Sequence, residues 1–278
     1  MPEQAGSRGN EMPAGRFVLL DVALVEHTEL ELPPDVAHQV RDVLRAIPGA
    51  VIQLLDGRGG VYPAEALTLE RRRVVVRLGT KLPQQAEFPC RVVLCQGMLK
   101  PTQFEWVLQK ATELGVAAIQ PLLTERAVAA AEMTGEVRQR RWQRILAEAV
   151  EQCGGDRLPA LCAPRPLMHA LAQLPPKSIA LFPWEEAEAA PLRATLAEAI
   201  VAAGGLSSVA EVHLFIGPVG GFSAGEAALA RRHGALLVTL GTRILRAETA
   251  ALVAATLTLD TLGALDGAPS RNDVEHLR

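Results

Sequence analysis

Two glycine-containing segments in the last quarter of the chain combine residue types that could hold a small ligand. Residues 212–226 form an apolar run that leads into Gly217, Gly220 and Gly221. Residues 236–250 form a second apolar run that leads into a polar loop. Ligands of open α/β folds bind where strands end and helix N-termini converge. The two segments therefore predict one binding site at the ends of two strands.

Backbone freedom and helix capping are the main features of the first segment. Its three glycines allow positive φ angles and a close approach of a ligand to the backbone. Ser223 and Glu226 have the spacing of a capping box, which predicts that a helix begins directly after the serine. The glycines match neither the GxGxxG fingerprint nor the P-loop pattern, which argues against a dinucleotide or a nucleoside triphosphate. A tight structural turn is the alternative interpretation.

The second segment places apolar and charged side chains next to each other in a loop. Ile244 and Leu245 are expected to pack against the core or against a flat ligand. Arg246 follows them, close to Glu248, at the predicted start of a helix. An arginine at such a position is suited to hold a phosphate or a substrate carbonyl. The alternative is a surface ion pair between Arg246 and Glu248.

Composition limits the classes of protein that the chain can represent. With 278 residues, of which 49% are hydrophobic, it can bury the core of one large or two ordinary domains. A net charge of −3 argues against a protein that coats nucleic acid non-specifically, but it allows binding of one structured RNA through a local basic patch. Basic clusters at residues 71–73 and 138–144 are either such a patch or solvated surface.

Targeting, redox and metal signals are absent from the sequence. No segment has the pattern of a secretory signal or the length of a membrane span. Cys90, Cys95, Cys153 and Cys162 form no CxxC pair, which is typical of reduced thiols in the cytoplasm. No cluster of His, Cys or acidic residues has the spacing of metal ligands. We therefore expect a cytoplasmic protein that binds neither a metal nor a membrane.

The apolar patterns divide the chain into regions. We expect a disordered leader at residues 1–15, a small β-barrel-like domain with one helix at 16–85, an α/β domain at 90–263 and a flexible tail at 264–278. In the second domain strands alternate with helices, which predicts a parallel sheet with helices on both faces. Strands are predicted at 16–19, 51–55, 61–66, 74–78, 91–96, 117–121, 179–182 and 212–216, and helices at 34–45, 100–114, 135–152 and 191–203.

The two C-terminal segments together resemble the signature of a known enzyme family. Residues 216–223 and 240–250 are similar to the paired motifs of the RsmE-type ribosomal RNA uridine N3-methyltransferases, which belong to the SPOUT superfamily of S-adenosylmethionine (SAM) enzymes. Residues 110–121 and 148–152 resemble two further motifs of this family. The N-terminal region resembles the PUA-like module of this family through Arg16, Phe17, His38 and residues 43–45 and 55–57.

This resemblance implies both a fold and a reaction. The fold would be a SPOUT-type knotted (trefoil), Rossmann-like α/β methyltransferase domain preceded by a small PUA-like β-barrel that binds RNA. SAM would be the cofactor, held bent by the loops of the knot, and a homodimer would build each active site across the subunit interface. The reaction would be methylation of N3 of one uridine in the 16S rRNA of the small ribosomal subunit.

The resemblance also implies a set of functional residues. Arg246 and Glu248 are the candidate catalytic residues: uridine N3 becomes nucleophilic once its proton is lost, and a cation such as Arg246 would stabilise the resulting anion. Glu248 would hold Arg246 or accept a hydrogen bond. The candidate cofactor-binding residues are Leu181, Phe182, Ile216, Gly217, Pro218, Gly220, Gly221, Leu240, Gly241, Ile244, Leu245 and Arg246. The candidate RNA-binding residues are Arg16, Arg45, Lys100, Lys110, Gln152 and Arg157.

Three positions depart from the pattern of the family. Val219 stands where the family usually has glutamate, Ala50 stands where it has aspartate, and residues 153–156 separate Arg157 from the long-helix motif. Two alternatives therefore stay open beside the methyltransferase. One is a non-catalytic RNA-binding protein of the same fold, with altered or lost methyl transfer. The other is an unrelated small-molecule enzyme with a doubly wound domain.

Overall fold

The computed structural model describes residues 15–84, 87–127, 135–185 and 189–266. These residues form two compact units. The first comprises residues 15–84 together with Val150–Arg157, and the second comprises the described parts of 87–149 and 158–266. The predicted disordered leader, except for Gly15, and most of the predicted tail lie outside the described residues.

A five-stranded mixed sheet forms the first unit, with the strand order β1-β3-β4-β5-β2. Its β1 pairs in parallel with β3, and the remaining neighbours are antiparallel. Phe17, Val40, Ile52 and Val74 are buried in its core. The elements are β1 (Arg16–Val18), β2 (Glu29–Glu31), α1 (Pro34–His38), a π-helical stretch (Gln39–Val43), β3 (Val51–Leu55), β4 (Val61–Glu70) and β5 (Arg73–Leu78).

Two details of the first unit differ from the sequence prediction. Strand β2 was not predicted, because it is an edge strand of three residues whose two glutamates face outward. They pair across the sheet with arginines, Glu31 with Arg73 and Glu29 with Arg77. The predicted helix at 34–45 ends earlier, at Val43, because Arg45 adopts a left-handed φ of 52°.

A parallel sheet forms the second unit, and its strand order is β12-β10-β11-β6-β7-β8, with β9 also paired to β7. All of its strand pairs are parallel, which confirms the prediction. Its elements are β6 (Arg91–Gly97), α2 (Pro101–Glu113), β7 (Ala118–Leu123), α3 (Glu136–Cys153), β8 (Ala160–Leu161), β9 (Arg165–Pro166), α4 (Leu167–Ala172), β10 (Ser178–Pro183), α5 (Leu192–Ala202), β11 (Glu211–Ile216), α6 (Ala224–Arg232), β12 (Leu236–Val238) and α7 (Ala247–Leu262).

Alternation along the strands builds a core on each face of this sheet. In β11, Val212 and Leu214 contribute to a core shared with α2, α3, α5 and α7. Phe215 of the same strand points the other way, into a core shared with α4 and α6. There, Phe182 stacks on Phe222 with 4.2 Å between ring centroids. Helices therefore cover both faces, as predicted. The short elements β8, β9 and α4 were not predicted, since two or six residues carry little periodicity.

The strand order determines which loops are neighbours. Parallel strands end at the same edge of a sheet, so the loops that follow β10, β11 and β12 all leave from one edge. Strand β10 lies between the other two. The two segments singled out in the sequence, which follow β11 and β12, are therefore separated by one strand, and the loop after β10 lies between them.

A buried histidine is the main titratable group inside the second unit. His213 Nε2 lies 2.9 Å from Glu211 Oε2, and Glu211 Oε1 accepts a hydrogen bond of 2.8 Å from Arg91. The Nδ1 atom of His213 lies 3.9 Å from the sulfur of Cys95. Burial lowers the pKa of His213, and this effect outweighs the opposing influence of Glu211. Burial also raises the pKa of the Cys95 thiol, so this cysteine stays neutral.

We expect acid to destabilise the protein through His213. In the unfolded chain a histidine takes up a proton near pH 6.5, whereas the folded protein takes it up only at lower pH. The unfolded state therefore binds more protons as the pH falls through about 6.5, and the free energy of unfolding falls by up to about 1.4 kcal/mol per pH unit for this proton. Urea unfolding between pH 8 and pH 5 measures the slope. A His213→Leu variant with the same slope as the wild type would contradict this assignment.

Candidate active site

Residues 217–223, here called the glycine loop, connect β11 to α6. The predicted capping box is confirmed: Ser223 Oγ accepts from the Glu226 amide at 3.2 Å, and Glu226 Oε2 accepts from the Ser223 amide at 2.9 Å. The Glu226 side chain is buried, and its second oxygen accepts from the amide of Glu125 at 3.0 Å. One carboxylate thus fixes the start of α6 and ties it to the loop after β7. Sequence spacing predicted the first role but not the second.

Backbone carbonyls of the glycine loop are held from two sides. The fully buried Gln96, at the end of β6, donates from Nε2 to the carbonyl of Gly217 at 3.2 Å. From the loop after β7, Arg126 donates from Nη1 to the carbonyl of Gly220 at 3.0 Å. Within the loop, the Gly221 amide donates to the Pro218 carbonyl at 2.9 Å. These contacts fix the loop by its carbonyl groups.

Two backbone donors of the glycine loop stay available. The amides of Val219 and Gly220 form no hydrogen bond with any residue that the structure describes. Both residues are exposed, and Val219 has 60% of its surface accessible to solvent. Open amides next to the start of a helix are suited to bind polar or anionic groups.

Close packing explains Gly97, and a left-handed backbone conformation explains Gly221. A Cβ atom on Gly97 would lie 2.6 Å from the nitrogen of Pro218, so only glycine lets the end of β6 approach the loop. Gly221 has a φ of +67°, and a Cβ atom there would lie 2.7 Å from Oε1 of Glu185, which belongs to the loop after β10. The loop after β10 therefore contacts the glycine loop, in agreement with the strand order.

The loop after β12, residues 239–246, is fastened at its start and open at its end. The amide of Thr239 donates to the carbonyl of Ala190. The hydroxyl oxygen Oγ1 of Thr239 accepts from the amide of Gly241 at 3.2 Å. Leu240 is partly buried against the core. Ile244 is 86% exposed, which excludes packing against the core of this chain and leaves a flat ligand as the other alternative that the sequence offered.

Arg246 and Glu248 lie at the start of α7 and do not pair with each other. Arg246 is the N-cap residue of α7, and its side chain makes no capping hydrogen bond. The residue is exposed and forms no ion pair with a described residue. Glu248 Oε1 instead accepts from Gln103 of α2 at 3.2 Å, while its Oε2 is buried without a described partner. Neither the surface ion pair nor the expectation that Glu248 holds Arg246 matches this geometry, because Gln103 takes the place of the arginine. The Arg246 side chain is therefore free for a ligand.

Two predicted cofactor residues are deep in the sheet. Leu181 and Phe182, at the end of β10, are fully buried, and their side chains belong to the cores on opposite faces. Only their backbone could face a ligand. Their position between β12 and β11 nevertheless agrees with a site at this edge.

The predicted RNA-binding residues fall into two groups. Arg45, Lys100 and Gln152 are exposed. The others are engaged within the protein: Arg16 donates to the carbonyl of Gly155 at 2.7 Å, Arg157 donates to the carbonyl of Arg58 at 2.9 Å, and Lys110 pairs with Glu113 at 2.7 Å. The first two contacts lie within the first unit, where they hold the segment after α3 against β1 and the turn after β3, which the sequence did not reveal.

The described residues contain neither a cluster of metal ligands nor a membrane-spanning helix. Within the described ranges, no group of three or more His, Cys, Asp or Glu side chains could hold a metal ion. None of the helices in the part of the chain that the structure describes is both long and apolar enough to cross a bilayer.

Comparison with known proteins shows the family to which the chain belongs. The family model of the RNA methyltransferase domain matches residues 86–259. Ribosomal RNA small subunit methyltransferase E of Synechocystis sp. is 33% identical over 255 residues, which cover 91% of this chain and 80% of that protein. The chain therefore belongs to the RNA methyltransferase family, as an enzyme of the ribosomal RNA small subunit methyltransferase E type.

Solved structures of relatives share the fold. The ribosomal RNA small subunit methyltransferase E of Neisseria gonorrhoeae, bound to SAM, is 31% identical with a TM-score of 0.75, and the match covers 88% of this chain and 97% of that chain. A methyltransferase of Legionella pneumophila in complex with SAM is also 31% identical, with a TM-score of 0.76 and coverage of 88% and 96%.

Substitution of Gly97 tests the packing of the glycine loop against β6. We expect Gly97→Ala to lower the free energy of unfolding by about 1–3 kcal/mol, because the added methyl group meets the backbone of Pro218. Gly135→Ala is the matched control, since a Cβ atom there meets open space. Urea unfolding of both variants gives the comparison. Equal stability of the two variants would show that the end of β6 does not pack against the loop.

Proposed function

We propose that the protein transfers the methyl group of SAM to N3 of a specific uridine in the 16S rRNA of the small ribosomal subunit. The main support is the single sheet edge at which the glycine loop, with two open amides, lies near the loop that ends in Arg246. Membership of the family and the likeness to SAM-bound relatives support the cofactor.

The residues at this edge fit SAM chemically. The open amides of Val219 and Gly220 suit its polar groups, and the exposed Ile244 with the half-buried Leu245 offers apolar surface to an adenine ring. We propose Gly217, Pro218, Gly220, Gly221, Leu240, Gly241, Ile244 and Leu245 as side-chain or backbone contacts, with Leu181, Phe182 and Ile216 contributing through their backbone. When bound, SAM supplies an electrophilic methyl group.

Arg246 is the proposed catalytic residue. The N3 atom of uridine attacks only after its proton is lost to solvent, and the negative charge of the resulting anion is shared with O2 and O4. A free guanidinium can donate to these oxygens and stabilise the anion. Glu248, in the first turn of α7, is proposed to accept a hydrogen bond in the same site. The hydrogen bond from Gln103 fixes its carboxylate.

RNA contacts are proposed for both units. The exposed candidates are Arg45, Lys100 and Gln152. Lys110 contributes if its ammonium group releases Glu113 and binds an RNA phosphate instead. Arg16 and Arg157 are proposed to shape the RNA-binding module through their backbone contacts rather than to grip phosphates. The target uridine has to be unstacked or already exposed before it can enter the site.

We also propose the finer architecture that the resemblance implies. The loops at the end of β10, β11 and β12 would form a trefoil knot, and the domain at 90–263 would be a SPOUT methyltransferase domain. Residues 16–85 would form a PUA-like, RNA-binding barrel. A cytoplasmic homodimer would complete each active site with residues from both subunits.

A methyl-transfer assay tests the proposed reaction. Purified protein and labelled SAM are incubated with small ribosomal subunits from a strain that lacks the corresponding modification. Nucleosides are then separated and identified by mass spectrometry, and we expect 3-methyluridine. Binding of SAM without methyl transfer would instead favour a non-catalytic RNA-binding protein, a possibility raised by Val219.

Arg246→Ala tests the catalytic role in the same assay. We expect the rate of transfer at saturating SAM to fall by about 100-fold or more, as is usual when a donor to a developing anion is removed. The melting temperature should not change, because the side chain is exposed and has no partner in the described structure. The control is Arg232→Ala, which removes an exposed arginine from the far end of α6. Rates near the wild-type value in Arg246→Ala would remove this residue from the mechanism.

A further inference from the structure

Arg126 reaches the glycine loop from a strand that is not a neighbour of β11. It lies in the loop after β7, and β6 separates β7 from β11 in the sheet. Its Nη1 donates to the carbonyl of Gly220 at 3.0 Å and lies 3.4 Å from the carbonyl oxygen of Phe222. Hydrogen bonds from a charged donor are roughly twice as strong as neutral ones.

The contact fixes one particular peptide group. The carbonyl of Gly220 and the amide of Gly221 belong to the same peptide bond. Arg126 holds its carbonyl, and the Pro218 carbonyl holds its amide. Hydrogen bonds at both ends restrain the rotation of this peptide group, which directly follows the peptide that carries the open amide of Gly220.

The stem of the arginine also covers the glycine loop. A Cβ atom on Gly220 would lie 3.2 Å from Cβ and 3.5 Å from Cδ of Arg126. The residue before it is tied to the same loop, since the Glu125 amide donates to the buried carboxylate of Glu226. Two successive residues of the loop after β7 therefore contact the middle of the glycine loop and the first turn of α6.

The degree of order in the glycine loop affects the affinity with which the loop binds a ligand. Glycine loses more conformational freedom on ordering than any other residue, and the loop contains Gly217, Gly220 and Gly221. A loop that is ordered before the ligand arrives binds it more tightly, because less entropy is lost on binding. We propose that Arg126 is a positioning residue that keeps the glycine loop in its binding conformation. The identity of the ligand as SAM rests on the proposed function, whereas the ordering of the loop does not.

Hydrogen exchange of the ligand-free protein tests the ordering itself. We compare Arg126→Gln with Arg126→Lys, which retains one charged donor, and with Arg232→Gln, which removes an exposed arginine from the end of α6. Exchange in peptides that cover residues 217–223 should be about fivefold faster in Arg126→Gln, intermediate in Arg126→Lys and unchanged in Arg232→Gln. Unchanged exchange in both Arg126 variants would overturn the proposal.

Titration calorimetry and steady-state kinetics test the consequence for the cofactor. Arg126→Gln should raise the Kd and KM for SAM about tenfold, while kcat at saturating SAM stays within about twofold and Arg126→Lys recovers most of the affinity. A direct contact of Arg126 with RNA would behave differently: the KM for ribosomal subunits would rise, the salt dependence of binding would weaken by about one counterion, and the Kd for SAM would stay constant. That result would overturn the proposal.

The two proposals fail in distinguishable ways. If the wild type neither binds SAM nor forms 3-methyluridine, the proposed function fails, and hydrogen exchange still decides whether Arg126 orders the loop. If Arg126→Gln does not fold, Arg126→Lys supplies both measurements, because a lysine can still donate to the Gly220 carbonyl.

Discussion

Parallel pairing of β12, β10 and β11 is the constraint on which the site depends. Because the three strands run in the same direction, their following loops leave from one edge of the sheet. Strand β10 lies in the middle, and Glu185 in its following loop lies against Gly221. Segments that are far apart in the sequence thus lie beside each other at this edge, where we propose that the ligand binds.

The glycine loop is the part of this edge that we propose to bind the ligand through its backbone. Gln96 and Arg126 hold its carbonyls, and Glu226 holds its end. Polar side chains of the chain therefore bond the carbonyl groups of the loop, whereas the amides of Val219 and Gly220 stay available. Gly97 makes this arrangement possible, since any side chain at that position would push the loop away from β6.

The sequence predicted the features that depend on interactions between residues close together in the chain. The capping box at Ser223 was predictable because both of its bonds lie within four residues. The parallel sheet with helices on both faces followed from the alternation of apolar runs. The contacts of Gln96, Arg126 and Gln103 were not predictable, since each depends on which strands or helices are neighbours. The same holds for the end of α3, whose Glu151 accepts from the amide of Val18 in the first unit.

The structure of the protein crystallised with SAM would test the central claim most directly. The account predicts that SAM lies at the edge formed by the loops after β10, β11 and β12. It also predicts that the amide of Val219 or Gly220 lies within about 3.2 Å of an acceptor atom of SAM. SAM bound elsewhere on the sheet, or bound at this edge with both amides facing solvent, would contradict the account.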